Sequence, residues 1–214
     1  MTDQCTDLIK QIGVKRYPGS STKKGKIYHS LPFGSWNTHR RGTSCRADLI
    51  KNTFPVAGKT GLDLGCSAGG LSFYLQLAGA TMVAIDYDPA VIAFARGIAS
   101  EYNCPVHFIC DKINVGLLTV LKRFDFVIWF DSWMWIEKQL GIKEAKKCLS
   151  IISEKTNVLF FSTSQNDGKA RNEIKTPADV EQLLKETTTF TTIRNLGTVE
   201  DNWHKRSIFF ASRG

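Results

Sequence analysis

Between Thr60 and Asp88 the chain alternates apolar runs and turn residues in an order that few folds accommodate. Gly61-Leu62-Asp63-Leu64 is strand-like and opens into Gly65-Cys66-Ser67-Ala68-Gly69-Gly70, after which Leu71-Ser72-Phe73-Tyr74-Leu75 continues as a helix. A second apolar run, Met82-Val83-Ala84-Ile85, ends in Asp86, twenty-one positions after Gly65. This is a strand–loop–helix–strand unit. In such units the glycines let the backbone approach a ligand, and an acid at the tip of the second strand takes ribose hydroxyls. The glycine spacing is Gly-x-x-x-Gly-Gly and not Gly-x-Gly-x-x-Gly. Ser67 stands at the third position of the dinucleotide fingerprint, which disfavours a pyrophosphate cradle and with it a nicotinamide oxidoreductase.

An acid, one residue, Gly-Cys, two residues and a further Gly, paired with Asp86, resembles the first motif of the class I S-adenosylmethionine-dependent methyltransferases. The resemblance covers residues 60–165. It implies a three-layer, Rossmann-like α/β fold around a seven-stranded, mostly parallel sheet, with S-adenosyl-L-methionine as cofactor and no metal. By this resemblance Gly65 and Gly69 let the loop, with Cys66 and Ser67 between them, fit under the methionine part of the cofactor. Asp63 would orient that loop or the ammonium group, and Asp86 would hold both ribose hydroxyls. Tyr87 would lie along the adenine face. Asp111 resembles the acid that accepts the adenine amine, with Lys112 or Ile113 supplying a backbone contact.

The rest of the chain reads consistently with such a sheet. Ser44–Asn52 reads as a helix closed by Pro55, and Asp88-Pro89 opens another, proline being free of cost in a first turn. Val106–Cys110 is a third strand. Phe124–Phe130 is a fourth, apolar without a break from Phe126 as a parallel strand buried on both faces should be. Ile142–Ile152 is helical, Asn157–Ser162 is a fifth strand, and Thr176-Pro177 starts a capped helix. Phe190–Leu196 and Ser207–Ala211 should pair as a C-terminal antiparallel hairpin. We divide the chain into a basic N-terminal arm and site-covering segment, 1–47, and a methyltransferase domain, 48–214.

Methyl transfer needs alignment of nucleophile, carbon and sulfur more than covalent help, and a base only where the acceptor must lose a proton. Asp131, just past the fourth strand, and His39 are the preferred catalytic positions; Asp131 is placed either to take a proton or to shape the pocket floor. His29, Glu137 and His204 are further candidates. Trp36, Arg41, Trp133 and Trp135 are candidate substrate contacts. The segment Phe130-Asp131-Ser132-Trp133 is not the Asn/Asp-Pro-Pro-Tyr of methylation at adenine, cytosine or glutamine nitrogens. Arg46 resembles an arginine that precedes the first motif in several small class I enzymes, among them those ending lipopolysaccharide chains and those modifying the tRNA wobble uridine. There it reaches the cofactor carboxylate or an anionic substrate group, in the two-pronged way open to a guanidinium.

Charge sharpens the choice of partner. No Asp or Glu occurs from Leu8 to Ala47, while nine of the 28 Lys and Arg residues lie there, so the net charge of +8 belongs to the first quarter of the chain. Such a segment concentrates anions. The acceptor is therefore expected to be an anionic small molecule, sugar or nucleotide, methylated on O or N. The alternative is tRNA or rRNA drawn in by the basic, aromatic arm; a rival outside enzymes is a non-catalytic nucleic-acid-binding protein on the same fold. The six cysteines are scattered without a Cys-x-x-Cys pair, and Met1–Asp7 carries acids and no apolar core. Free thiols, a cytoplasmic location and no membrane association are expected. The oligomeric state is not legible.

Overall fold

The computed structural model describes residues 27–34, 38–40, 42–163, 174, 176–201 and 204–213. Its frame is a seven-stranded sheet built from β3 (Thr60–Leu64), β4 (Thr81–Asp86), β5 (His107–Cys110), β6 (Phe126–Phe130), β7 (Val158–Ser162), β8 (Thr192–Asp201) and β9 (His204–Ser212). The strand order is β5-β4-β3-β6-β7-β9-β8. Strands β3 to β7 are parallel, while β9 runs antiparallel to both β7 and β8. The expected fold is therefore present, including the C-terminal hairpin, whose second strand lies inside and whose first strand forms the edge.

Side chains on successive strand positions point to opposite faces, and here both faces are covered. On β6, Phe126, Ile128 and Phe130 belong to one apolar cluster, and Val127 and Trp129 to the other. The first cluster is closed by α1 (Thr43–Thr53) through Ala47 and Ile50, by α2 (Gly70–Leu77) through Phe73 and Leu75, and by α3 (Pro89–Glu101) through Phe94 and Ile98. The second is closed by α4 (Val115–Val120), α5 (Trp133–Leu140), α6 (Ile142–Lys155) and α7 (Pro177–Thr187), by way of Leu118, Trp133, Leu149 and Leu184 among others. None of the helices among the described residues is long and apolar enough to cross a membrane.

Three features were not expected. Within the segment read as a basic arm, Ile27–His29 forms a strand, β1, which pairs in parallel with β2 (Thr38–Arg40) in a separate two-stranded sheet. The short helices α4 and α5 went unread. Finally, the division placed between 47 and 48 runs through α1, whose Arg46 and Ala47 are buried, so residues 43–47 pack with the body of the fold.

Leu31-Pro32-Phe33 packs as its aromatic content suggests. Phe33 stacks on Tyr102 at 4.5 Å between ring centroids and meets Phe73 edge-on at 5.4 Å. This stretch crosses the start of α2 closely. A Cβ on Gly70 would stand 2.7 Å from the Ser30 carbonyl oxygen and 3.1 Å from the His29 Cβ.

Candidate active site

The sheet changes direction between β3 and β6, one series of strands running outward to β5 and the other to β8. In open α/β sheets the crevice at that switch point, beyond the carboxyl ends of the strands, is where ligands sit. The loop leaving β3 occupies it. Gly65 has φ 78° and Gly69 φ 76°, and Ser67 adopts φ 51° between them. A Cβ on Gly65 would lie 2.6 Å from the Cβ and Oγ of Ser132, so the loop and the segment after β6 pass too closely for any other residue. Ser132 Oγ in turn donates to the Leu64 carbonyl at 3.1 Å.

Two carboxylates flank the loop. Asp86, at the tip of β4, accepts from the Ser67 N–H at 2.9 Å and the Asp88 N–H at 3.1 Å, bridging the two strand ends. Burial raises its pKa, and those N–H donors oppose the shift. Asp63 is buried and accepts from Ser72 Oγ at 2.6 Å. Desolvation pushes its carboxyl up to about 7, with the Ser72 hydrogen bond opposing and the nearby Asp86 charge adding to the rise. Burial also pushes the Cys66 thiol upward, reinforced by the charges of Asp63 and Asp86.

On the outer side, Tyr87 is 64% exposed and free to lie against a flat ligand. The Asp111 N–H donates to the Asp86 carbonyl at 3.0 Å, and its own carboxylate accepts from the Lys112 N–H at 2.7 Å. Asp111 and Lys112 are exposed, and Ile113 is buried in the core. Asn114 engages the Lys112 carbonyl and caps α4.

Across the crevice Asp131 follows β6 with φ 59°. Its Oδ2 accepts from Arg46 Nη1 of α1 at 2.9 Å, and its Oδ1 from Arg206 Nη1 of β9 at 2.7 Å. Ser162 Oγ, at the end of β7, donates to Oδ1 as well, at 3.1 Å. Both arginines are 5% exposed. Arg46 lies 5.6 Å over the Phe130 ring, and its Nε is buried without a hydrogen-bond partner among the described residues. Thr43, three residues before Arg46 on α1, is buried and stands 3.4 Å from His29 Nδ1.

The structure thus gathers Asp63, Gly65, Cys66, Ser67, Gly69, Asp86, Tyr87, Asp111, Arg46 and Asp131 around the carboxyl ends of the strands. One substrate candidate is corrected. Trp133 has no exposed surface; it meets Trp129 edge-on at 5.5 Å and Phe161 at 5.9 Å, inside the second core cluster. Its neighbour Trp135 is 52% exposed, with Lys138 Nζ 5.6 Å from its ring. His39 lies on β2 with its side chain outside the described portion, and Trp36 and Arg41 fall outside the described residues. Sequence reasoning missed Arg206, Ser162, Ser132 and Ser72. For Arg206 there was one available signal, a cation two residues before the apolar run Ile208-Phe209-Phe210.

Residues 62–151 match the family model described as a methyltransferase domain. Over 125 residues the chain is 30% identical to the ubiquinone biosynthesis O-methyltransferase of Azotobacter vinelandii, covering 58% of this chain and 53% of that protein. It is 27% identical over 127 residues to the O-antigen chain terminator bifunctional methyltransferase/kinase WbdD of Escherichia coli, covering 58% of this chain and 18% of that one. The chain thus spans about half the length of the first of these relatives and less of the second. Among solved structures, one of WbdD superposes with a TM-score of 0.77 over 97% of this chain and 46% of that one, at 23% identity. Magnesium protoporphyrin IX methyltransferase from Synechocystis PCC 6803, solved with bound S-adenosylmethionine, gives 0.63 over 80% and 78%, at 21% identity. Residues 62–151 thus carry a methyltransferase domain, on a fold shared with S-adenosylmethionine-dependent methyltransferases.

Proposed function

We propose that this protein transfers a methyl group from S-adenosylmethionine to an oxygen of a small, anionic acceptor. The observation that carries the reading is the pairing of Asp86 with the Ser67 amide at the glycine loop, together with the buried guanidinium of Arg46 on Asp131 beyond the neighbouring strand end. The residues present suit the cofactor. Asp86 offers a carboxylate to ribose hydroxyls, Tyr87 an open ring to adenine, and Arg46 a buried, unpartnered Nε to an amino-acid carboxylate. S-adenosylmethionine, when bound, supplies an already activated methyl group.

The chain's own contribution is then binding, orientation and exclusion of water. Of the two roles open to Asp131, the geometry favours the structural one. Its oxygens are held by Arg46, Arg206 and Ser162, so taking a proton from an acceptor would mean giving up an ion pair. We read it as the bracket that holds α1 and β9 over the crevice. An oxygen acceptor is supported by the first relative's name, and an anionic one by the acid-free, basic sequence from Leu8 to Ala47. The RNA reading rests on a basic segment that lies mostly outside the described residues, and nothing described here favours it.

Calorimetry with S-adenosylhomocysteine tests the cofactor half, with binding expected in the low micromolar range, about −8 kcal/mol. NAD binding more tightly than S-adenosylhomocysteine would overturn it. The acceptor half is tested with labelled cofactor and a panel of phenols and catechols, with and without a carboxylate, alongside bulk tRNA. Label reaching the carboxylate-bearing phenols first is the expected result; label reaching only tRNA would refute it.

A further inference from the structure

We propose that Arg206 is a positioning residue: by occupying one oxygen of Asp131 it keeps the fork of Arg46 open for the carboxylate of the cofactor. The inference rests on the cofactor reading above.

A guanidinium facing a carboxylate tends to close on it with two parallel N–H···O bonds, one to each oxygen. Arg46 does not. It gives Asp131 a single bond, from Nη1 to Oδ2 at 2.9 Å, while its Nε stays buried with no partner among the described residues. The reason lies on the other oxygen. Oδ1 already receives Arg206 Nη1 at 2.7 Å and Ser162 Oγ at 3.1 Å, so Nη2, the prong that would close beside Nη1, has no oxygen of Asp131 to meet, and the edge that Nη2 shares with Nε is left for a ligand.

A buried, unsatisfied N–H on a charged group is unfavourable unless something arrives to meet it. The crevice next to it is where the family's cofactor lies, and the amino-acid end of that cofactor carries a carboxylate. Three chain segments far apart in sequence thus set up one donor. α1 brings the guanidinium, the turn after β6 anchors one prong, and β9 prevents the other from closing. Without Arg206 the expected rearrangement is simple. Arg46 rotates onto both oxygens of Asp131, forms the closed pair, and presents less to the ligand. That pair is neutral and keeps both oxygens of Asp131 bonded, so loss of Arg206 should damage carboxylate recognition more than the fold.

The test compares two ligands that share adenosine and sulfur. S-adenosylhomocysteine carries the amino-acid carboxylate, and 5′-methylthioadenosine lacks it. The full chain and its Arg206→Met, Arg206→Lys and Arg46→Met variants are titrated with each by calorimetry. Arg206→Met is expected to weaken S-adenosylhomocysteine about tenfold while changing 5′-methylthioadenosine by less than about twofold. Arg206→Lys, which still offers a cation to Oδ1, should fall in between. Equal weakening of both ligands, or of neither, overturns the proposal. Should Arg46→Met show the selective loss and Arg206→Met not, the cofactor reading stands and this inference fails. If Arg46→Met spares S-adenosylhomocysteine, both fall. Where Arg206→Met gives no soluble protein, Arg206→Lys decides on the same comparison.

Discussion

The two carboxylates beside the glycine loop differ in what their surroundings ask of them. Asp86 accepts from N–H groups of the glycine loop and of its own strand end and remains partly accessible. Asp86→Ala should weaken S-adenosylhomocysteine by about 2–3 kcal/mol, since two hydroxyls lose a charged acceptor; calorimetry reads it, and unchanged affinity would separate this residue from the ribose. Asp63 is buried, and its carboxyl is pushed from an ordinary 3.8 up to about 7. The folded state then binds its proton more tightly than the unfolded chain does. Its contribution is favourable at pH below about 4 and is lost as pH rises through about 7, so the ligand-free protein should become less stable over that window. Asp63→Asn should flatten the dependence of the urea midpoint on pH, and a wild-type profile no steeper than the variant's would contradict the assignment. Asp86 was legible in the sequence because a spacing of about twenty residues after a glycine turn is a local signal. Arg206 was not, because its role exists only once β9 has been laid beside β7. The tryptophans show the same boundary. Trp133 and Trp135 stand two apart on a helix, roughly 200° around its axis, so one had to be buried where the other was exposed.

Elements were legible in proportion to the length of their apolar pattern. The five parallel strands were read because each is a short apolar run, those of β6 and β7 buried at every position, and α3 and α7 because Asp88 and Thr176 cap them beside a proline. The six-residue α4 and three-residue β1 are too short to show a period. β1 nevertheless matters to the site, because its end and the following Ser30 cross α2 at Gly70. Gly70→Ala would drive a methyl group to 2.7 Å from the Ser30 carbonyl and 3.3 Å from Thr43 Cγ2. The strand must give way, at about 1–3 kcal/mol, or a fall of roughly 2–12 °C in Tm for a chain of this size. Hydrogen exchange should accelerate over residues 27–33 and 43–47 and stay unchanged in β6 and β7. Unaltered exchange in the crossing segment would show that the contact is not made in solution.

At the scale of the whole molecule, the sheet divides the core into two apolar clusters, and the charged groups of the site sit along the carboxyl ends of the strands between them. Asp131 links α1 to β9, joining residues separated by 85 positions on one side and 75 on the other, as their numbers give. Contacts of such separation form late, because each closes a long loop before any gain is made. The β8–β9 hairpin can form locally, but Arg206 meets Asp131 only when that hairpin has docked on β7. Until then a carboxylate that the finished fold nearly buries must stay hydrated, and the crevice stays open on that side. We therefore expect S-adenosylhomocysteine binding, followed in stopped-flow refolding, to appear with the slowest phase and not with the burst of tryptophan burial. Binding competence ahead of that phase would show that the hairpin is dispensable for building the pocket. On a ribosome the same logic makes competence wait for the β8–β9 hairpin: a nascent chain can assemble the glycine loop and Asp86 early, but acquires a closed pocket only after residue 206 has emerged.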